Sequence, residues 1–207
     1  MKALHRVGIQ IGKFEPGARD SIADVKGVRV GHVDIEVEDS QIGLSVVEPY
    51  PLSGEKRRLY IGRWALEGGG SISGLGVAED FGTLSAPIAV VPVPAFGRAY
   101  EALIHQGIRR DSGLSTDAGW PPFVMGMDDG VWNDARRVYE SVGQRDVDRA
   151  LSAASEVVLE GSVGIGRSLR AFGLRGGVGS ASRRVGPQHI GAFVAVNGGL
   201  PGDLSVN

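Results

Sequence analysis

HIGAFVAVNGGLPGDLSVN, residues 189–207, is the stretch on which the reading of the whole chain turns. Its first half is dense in Val, Ala, Ile and Phe, with Gly191 near its start and Gly198 just past its end, the texture of a β-strand bound for an interior. VGSASRRV, residues 178–185, reads as a second strand just before it. After Asn197 comes only GGLPGDLSVN, a short run broken by Gly and Pro that reads as neither helix nor further strand. Two readings follow: a whole protein that stops at Asn207, or one half of a larger fold cut there.

Composition narrows what such a fold does. At 207 residues the chain is one domain, spanning 1–207, and a chain of that length removes roughly 70% of its extended surface from water on folding. Formal net charge is −2, so there is no cationic footprint for nucleic acid or for an anionic membrane. There is no cysteine, which excludes disulfides, thiolate metal sites and a cysteine nucleophile. His5, His32, His105 and His189 are scattered, and no pair has metal-ligand spacing. The opening MKALHRVGIQIGKF lacks the apolar core of a signal peptide and no long apolar run follows, so a cytoplasmic protein is expected.

Glycine is the outlier: 33 of 207 residues, clustered at EGGGSISGLG (67–76), GSVGIG (161–166) and LRGGVG (174–179). Without a three-residue period this is not collagen-like, so the glycines mark close approaches of backbone to backbone or to something bound. GSVGIGRS lacks the lysine of a P-loop and the third glycine of a dinucleotide fingerprint, and no cofactor is expected. SIADVKGVRVGHVDIEVED (21–39) alternates apolar and charged residues around Gly27 and Gly31, as strand pairs with tight turns do, and EKRRLYIGRWAL (55–66) continues that texture. APIAVVPVP (86–94) is a buried strand whose ladder ends at Pro92 and Pro94. AFGRAYEALIHQGIRR (95–110) and the segment from Asp146 have helical spacing. The order is mixed α/β without regular βαβ alternation.

Five stretches, in order, resemble the DmpA/BapA family of β-peptidyl aminopeptidases, also called the L-aminopeptidase/D-esterase family. RDSIADVKGVRVGHV (19–33) is similar to that family's NAITDVPGVRVGHV, and SISGLGVAEDFGTLSAPI (71–88) to its EMTG…EFGTLETPI. DGVWND (129–134) resembles DGYLND, and EGSVGIG with LRGGVGSASR resembles EGNVGGGTG and KGGIGTASR. GAFVAVNGGLPGDL (191–204) is similar to the strand carrying QANYGRREDL. The resemblance implies a four-layer αββα sandwich like that of N-terminal nucleophile hydrolases. It also implies a precursor that cuts itself, often after Asn, to free a Ser or Thr nucleophile at the start of a β chain. On that reading Asn207 is the autocleavage site, residue 208 the nucleophile, and the β chain from the same precursor the main partner, with a higher (αβ)n oligomer around it.

The resemblance places an oxyanion-hole amide at Asn197. The family's amino-binding glutamate and its tyrosine fall on Gly126 and Asp128, and the glutamate of EMTG on Ser71. Asp128 or Asp129 is then the candidate to take over the ammonium, unless the substrate lacks one. The implied function is hydrolysis of a small amide or peptide. The alternatives are a degenerate member kept as a binding module, or an acyltransferase using the same acyl-enzyme chemistry.

Overall fold

The computed structural model describes residues 11–52, 58–65, 71–111, 113–114, 121–128 and 132–204. Its central sheet has the order β1-β2-β5-β6, from β1 (Arg29–Ile35), β2 (Ile42–Glu48), β5 (Ile88–Pro92) and β6 (Phe123–Met127). The first two pairings are antiparallel, and β5 and β6 run parallel. Between them lie a short ribbon of β3 (Leu59–Tyr60) with β4 (Thr83–Leu84) and helix α1 (Leu75–Phe81). Helices α2 (Phe96–Arg110), α3 (Ala135–Ser141) and α4 (Gln144–Ala153) complete one layer. A second ribbon, β7 (Arg170–Ala171) with β8 (Leu174–Arg175), precedes the long hairpin of β9 (Gly177–Val185) and β10 (Gln188–Val196).

Strand alternation sorts the side chains into two interiors. Ile42, Leu44 and Val46 of β2, with Ala89, Val91 and Val124, point to one face and meet Ala99, Ala102, Leu103, Val138, Val147 and Ala150 of the helices. Ile88, Val90 and Met125 point the other way, onto Ile165, Leu169, Val178, Phe193 and Ala195. The layers run helices, sheet, hairpin, with a 3₁₀ turn at Gly164–Ser168 wedged between the last two. Burying a Leu or Ile as fully as Leu44 or Ile42, both 0% exposed, stabilises by about 1.5–3 kcal/mol. Every residue of β2 is buried, as a central strand covered on both faces requires.

The expected strands at 178–185 and 189–197, the strand ending at Pro92 and the helix of 95–110 all form. Two expectations are corrected. Gly31 lies in the middle of β1, not at a turn: a Cβ there would stand 1.9 Å from the Ala150 carbonyl, so glycine is needed for α4 to cross the strand. The 55–66 stretch contributes only Leu59–Tyr60 within its described residues, since Tyr60 and Trp64 are almost fully exposed and give a longer strand nothing to bury.

The RDSIAD stretch acts as a polar knot. The Asp24 carboxylate accepts from the Arg19 and Ser21 backbone N–H groups and from Ser182 Oγ at 2.6 Å. Asp20 holds Arg183 at 3.0 Å and accepts from the Ser182 N–H. The segment leading into β1 is thereby tied to β9. Burial alone would raise the Asp24 carboxyl, but the bonds from Ser182, Arg19 and Ser21 outweigh it, and its pKa sits below the ordinary value.

Candidate functional site

The described candidate residues, Ser71, Gly126, Asp128 and Asn197, lie toward one end of the central sheet, where β6 runs out. Asn197 follows β10 and is exposed. Its Oδ1 accepts the Arg170 backbone N–H at 3.3 Å, and its Nδ2 donates to the Asp128 carbonyl. These contacts fix the amide's orientation. An amide nitrogen carries two hydrogens, so one N–H remains to meet a ligand oxygen. The local backbone is set by a second pair of bonds: Gly198 N–H donates to the Arg170 carbonyl at 2.8 Å, and Phe172 N–H to the Gly198 carbonyl at 3.0 Å. β7 thus runs parallel to the chain just after Asn197 and holds it in place.

Gly126 and Ser71 are brought together as well. The Gly126 N–H donates to the Ser71 carbonyl at 2.7 Å, and Gly126 pairs with Val91 in the sheet. A Cβ on Gly126 would meet Val93, Phe96 and the Ser71 carbonyl at 3.2–3.4 Å, toward the helical layer. The position is therefore small by packing and presents no group to a ligand. Asp128 is exposed one residue past β6, and its contact with Asn197 runs through its backbone carbonyl. Asp129 and Asn207 lie outside the described residues.

The described part of DGVWND, residues 132–134, is structural in a specific way. Buried Asn133 exchanges two hydrogen bonds with the backbone of Gln41, at 2.8 and 3.0 Å. Asp134 caps α3 by accepting from the Arg137 N–H. Trp132, just before these anchors, lies under the Arg170 guanidinium at 3.6 Å from ring centroid to cation. Neither Trp132 nor Arg170 was singled out by the sequence, because they are far apart along it and the contact is made only by folding.

Away from this end, a cavity of about 1040 Å³ lies along β1 and α4 and is lined by His32, Asp34, Arg145, Asp148 and Arg149. His32 is an internal strut there. Its Nδ1 is 2.8 Å from Ser45 Oγ, which also accepts from the Ile165 N–H. Gly164, at φ +53°, packs onto both side chains. Among the described residues no cluster of His, Asp or Glu is arranged to hold a metal ion, and no helix is long and apolar enough to cross a membrane.

The layering is that of the N-terminal nucleophile hydrolase fold: the L-aminopeptidase D-Ala-esterase/amidase from Ochrobactrum anthropi, described as a variant of that fold, superposes with a TM-score of 0.81 at 28% identity over 92% of this chain and 56% of that one. Residues 20–207 match peptidase family S58, and the chain belongs to that family. It is similar to a Burkholderia β-aminopeptidase of solved structure, with a TM-score of 0.85 and 32% identity over 95% of this chain and 57% of that one. It is also similar to the β-peptidyl aminopeptidase BapA of Sphingosinicella microcystinivorans, 30% identical over 204 residues, 90% of this chain and 49% of that protein. The chain spans about half the length of the curated relatives it matches.

Proposed function

We propose that this chain is the α subunit of a self-processing amide hydrolase whose nucleophile is supplied by the segment that follows Asn207. The observation that carries the reading is the pinned amide of Asn197, with one N–H unspent at the sheet end, in a chain of peptidase family S58. A Ser or Thr at the start of a β chain attacks the substrate carbonyl, and its own α-amino group or a neighbouring side chain accepts the proton. The Asn197 N–H meets the developing oxyanion, and water then releases the acyl enzyme. The outer face of β10 supports a partner chain: Ile190, Val194 and Val196 are 63%, 50% and 43% exposed in a row, an apolar stripe suited to further sheet. The partner strands come from the same precursor, and the αβ unit assembles further.

Intact-mass measurement of the full-length protein tests this. The expected result is two chains, the shorter beginning with Ser or Thr, together with hydrolysis of small amides. One uncut chain without amidase activity would instead mark a family member retained as a binding module.

A further inference from the structure

Two arginines face one another across a short ribbon beside the candidate site. In the β7–β8 ribbon Arg170 is the direct cross-strand partner of Arg175. Both are exposed, and like charges placed opposite one another on a ribbon repel. Among the described residues neither guanidinium has a carboxylate within 4.0 Å, whereas Arg167, close by in the chain, reaches both Asp34 and Glu36. The indole of Trp132 is close to both. Arg170 stacks on its face at 3.6 Å, and Arg175 lines with it a recess of about 360 Å³ that Gln41 and Asp39 also border. Stacking fixes the plane of a guanidinium and leaves its N–H edge for a bidentate acceptor. A carboxylate has the matching geometry, and it would relieve the repulsion between the two cations.

The arm is attached directly to the candidate oxyanion donor. Arg170 holds the Asn197 side chain through its backbone N–H and projects its guanidinium onto Trp132. Gly126 offers no carboxylate for an ammonium, which points the same way. Asp39 borders the same recess and repels an anion there, so the bound carboxylate stays at the guanidinium edge.

We infer that Arg170 and Arg175, set around Trp132 beside Asn197, select amide substrates that carry a carboxylate near the scissile carbonyl. This rests on the amide-hydrolase reading above. The arm is a binding device: it takes no part in bond making, and the hydrolytic step is that already described.

The test uses the full-length protein with three para-nitroanilides: the succinyl compound, its neutral methyl ester and the cationic β-alanyl compound. The succinyl compound is expected to exceed its methyl ester in kcat/KM by about tenfold or more, mostly through KM. That ratio should fall at least about tenfold in Arg170→Met, recover in part in Arg170→Lys, and fall again in Arg175→Met. An unchanged ratio in both Met variants, or a methyl ester cleaved as well as the acid, overturns the proposal. If none of the three is cleaved, calorimetric titration with succinamate decides. Binding that Arg170→Met abolishes upholds the arm and lays the failure on the hydrolase reading, while absence of binding to the unsubstituted protein overturns the arm itself.

Discussion

Asn197 is gripped at both ends of its amide, by the Arg170 N–H on Oδ1 and by the Asp128 carbonyl on Nδ2. Both partners are backbone groups, so no side-chain motion is needed to hold the donor in place. Such a donor acts on the transition state and contributes little to ground-state binding. Asn197→Ala is expected to lower kcat of the full-length enzyme by about 10²–10³ with little change in KM. The side chain is exposed, so thermal stability should stay close to that of the parent. Steady-state kinetics beside a melting curve checks this, and unchanged turnover would reduce Asn197 to a strand-end residue.

Asp128 contacts Asn197 through its carbonyl, and Asp128→Asn preserves that carbonyl. The substitution therefore separates two roles that the sequence alone leaves joined. If the carboxylate receives a substrate ammonium, Asp128→Asn loses about tenfold or more on β-alanyl amides and little on their N-acetyl counterparts. With Gly126 walled in by Val93 and Phe96, simple alanyl amides should be poor substrates unless Asp128 or Asp129 takes up the ammonium. Rapid cleavage of alanyl amides by Asp128→Asn would show that another group holds the amine.

Gly164 is the point where the 3₁₀ wedge presses on the sheet. Its φ is +53°, and a Cβ would stand 2.4 Å from Ser45 Oγ and 2.6 Å from His32 Nδ1. Backbone strain at a left-handed non-glycine residue alone costs about 1–3 kcal/mol, and the clash adds to it. Gly164→Ala should therefore lower the denaturant midpoint of the full-length protein clearly, while Gly12→Ala, with open space around its Cβ, should cost only its strain. Equal losses in the two variants would show that the contact with His32 and Ser45 is loose.

What the sequence made readable follows from how local each signal is. The helix of 96–110 and the two strands of the hairpin carry their period within a dozen residues, and they form where expected. β6 is not legible in the sequence because FVMGM is short and interrupted by Gly126, which leaves no alternation to read. Gly31 reads as a turn in the sequence because its cause, the Ala150 carbonyl, lies on a helix far along the chain. The site divides the same way. Asn197 and Asp128 came through resemblance to known motifs, whereas Trp132 and Arg170 become neighbours only when β7 folds against the segment after β6. No periodicity encodes that contact.

His32 gives the fold a pH dependence whose sign can be worked out. Burial disfavours its imidazolium and lowers its pKa; the charge of Asp34 and the nearby Leu159 backbone oppose this without overcoming it. The neutral ring fits the geometry, since Ser45 Oγ takes the Ile165 N–H and is left with its own hydrogen to give to Nδ1. Unfolded, His32 titrates near 6.5, and folded it titrates lower. Its contribution to stability is therefore complete above about pH 6.5. It declines as the pH falls through the window down to the folded pKa, because there the unfolded chain binds a proton that the folded chain refuses. Arg145, Asp148 and Arg149 line the same cavity, and Asp34 is the charge that favours the imidazolium. Stability of the full-length protein should fall between pH 7 and pH 5, and His32→Gln, which keeps a polar side chain but cannot titrate, should flatten the decline at some cost in overall stability. Denaturant melts of both proteins across that range isolate the histidine's share as the difference in slope. Parallel slopes would mean that His32 takes up its proton as readily folded as unfolded, and that the strut against Ser45 does not depend on a neutral ring.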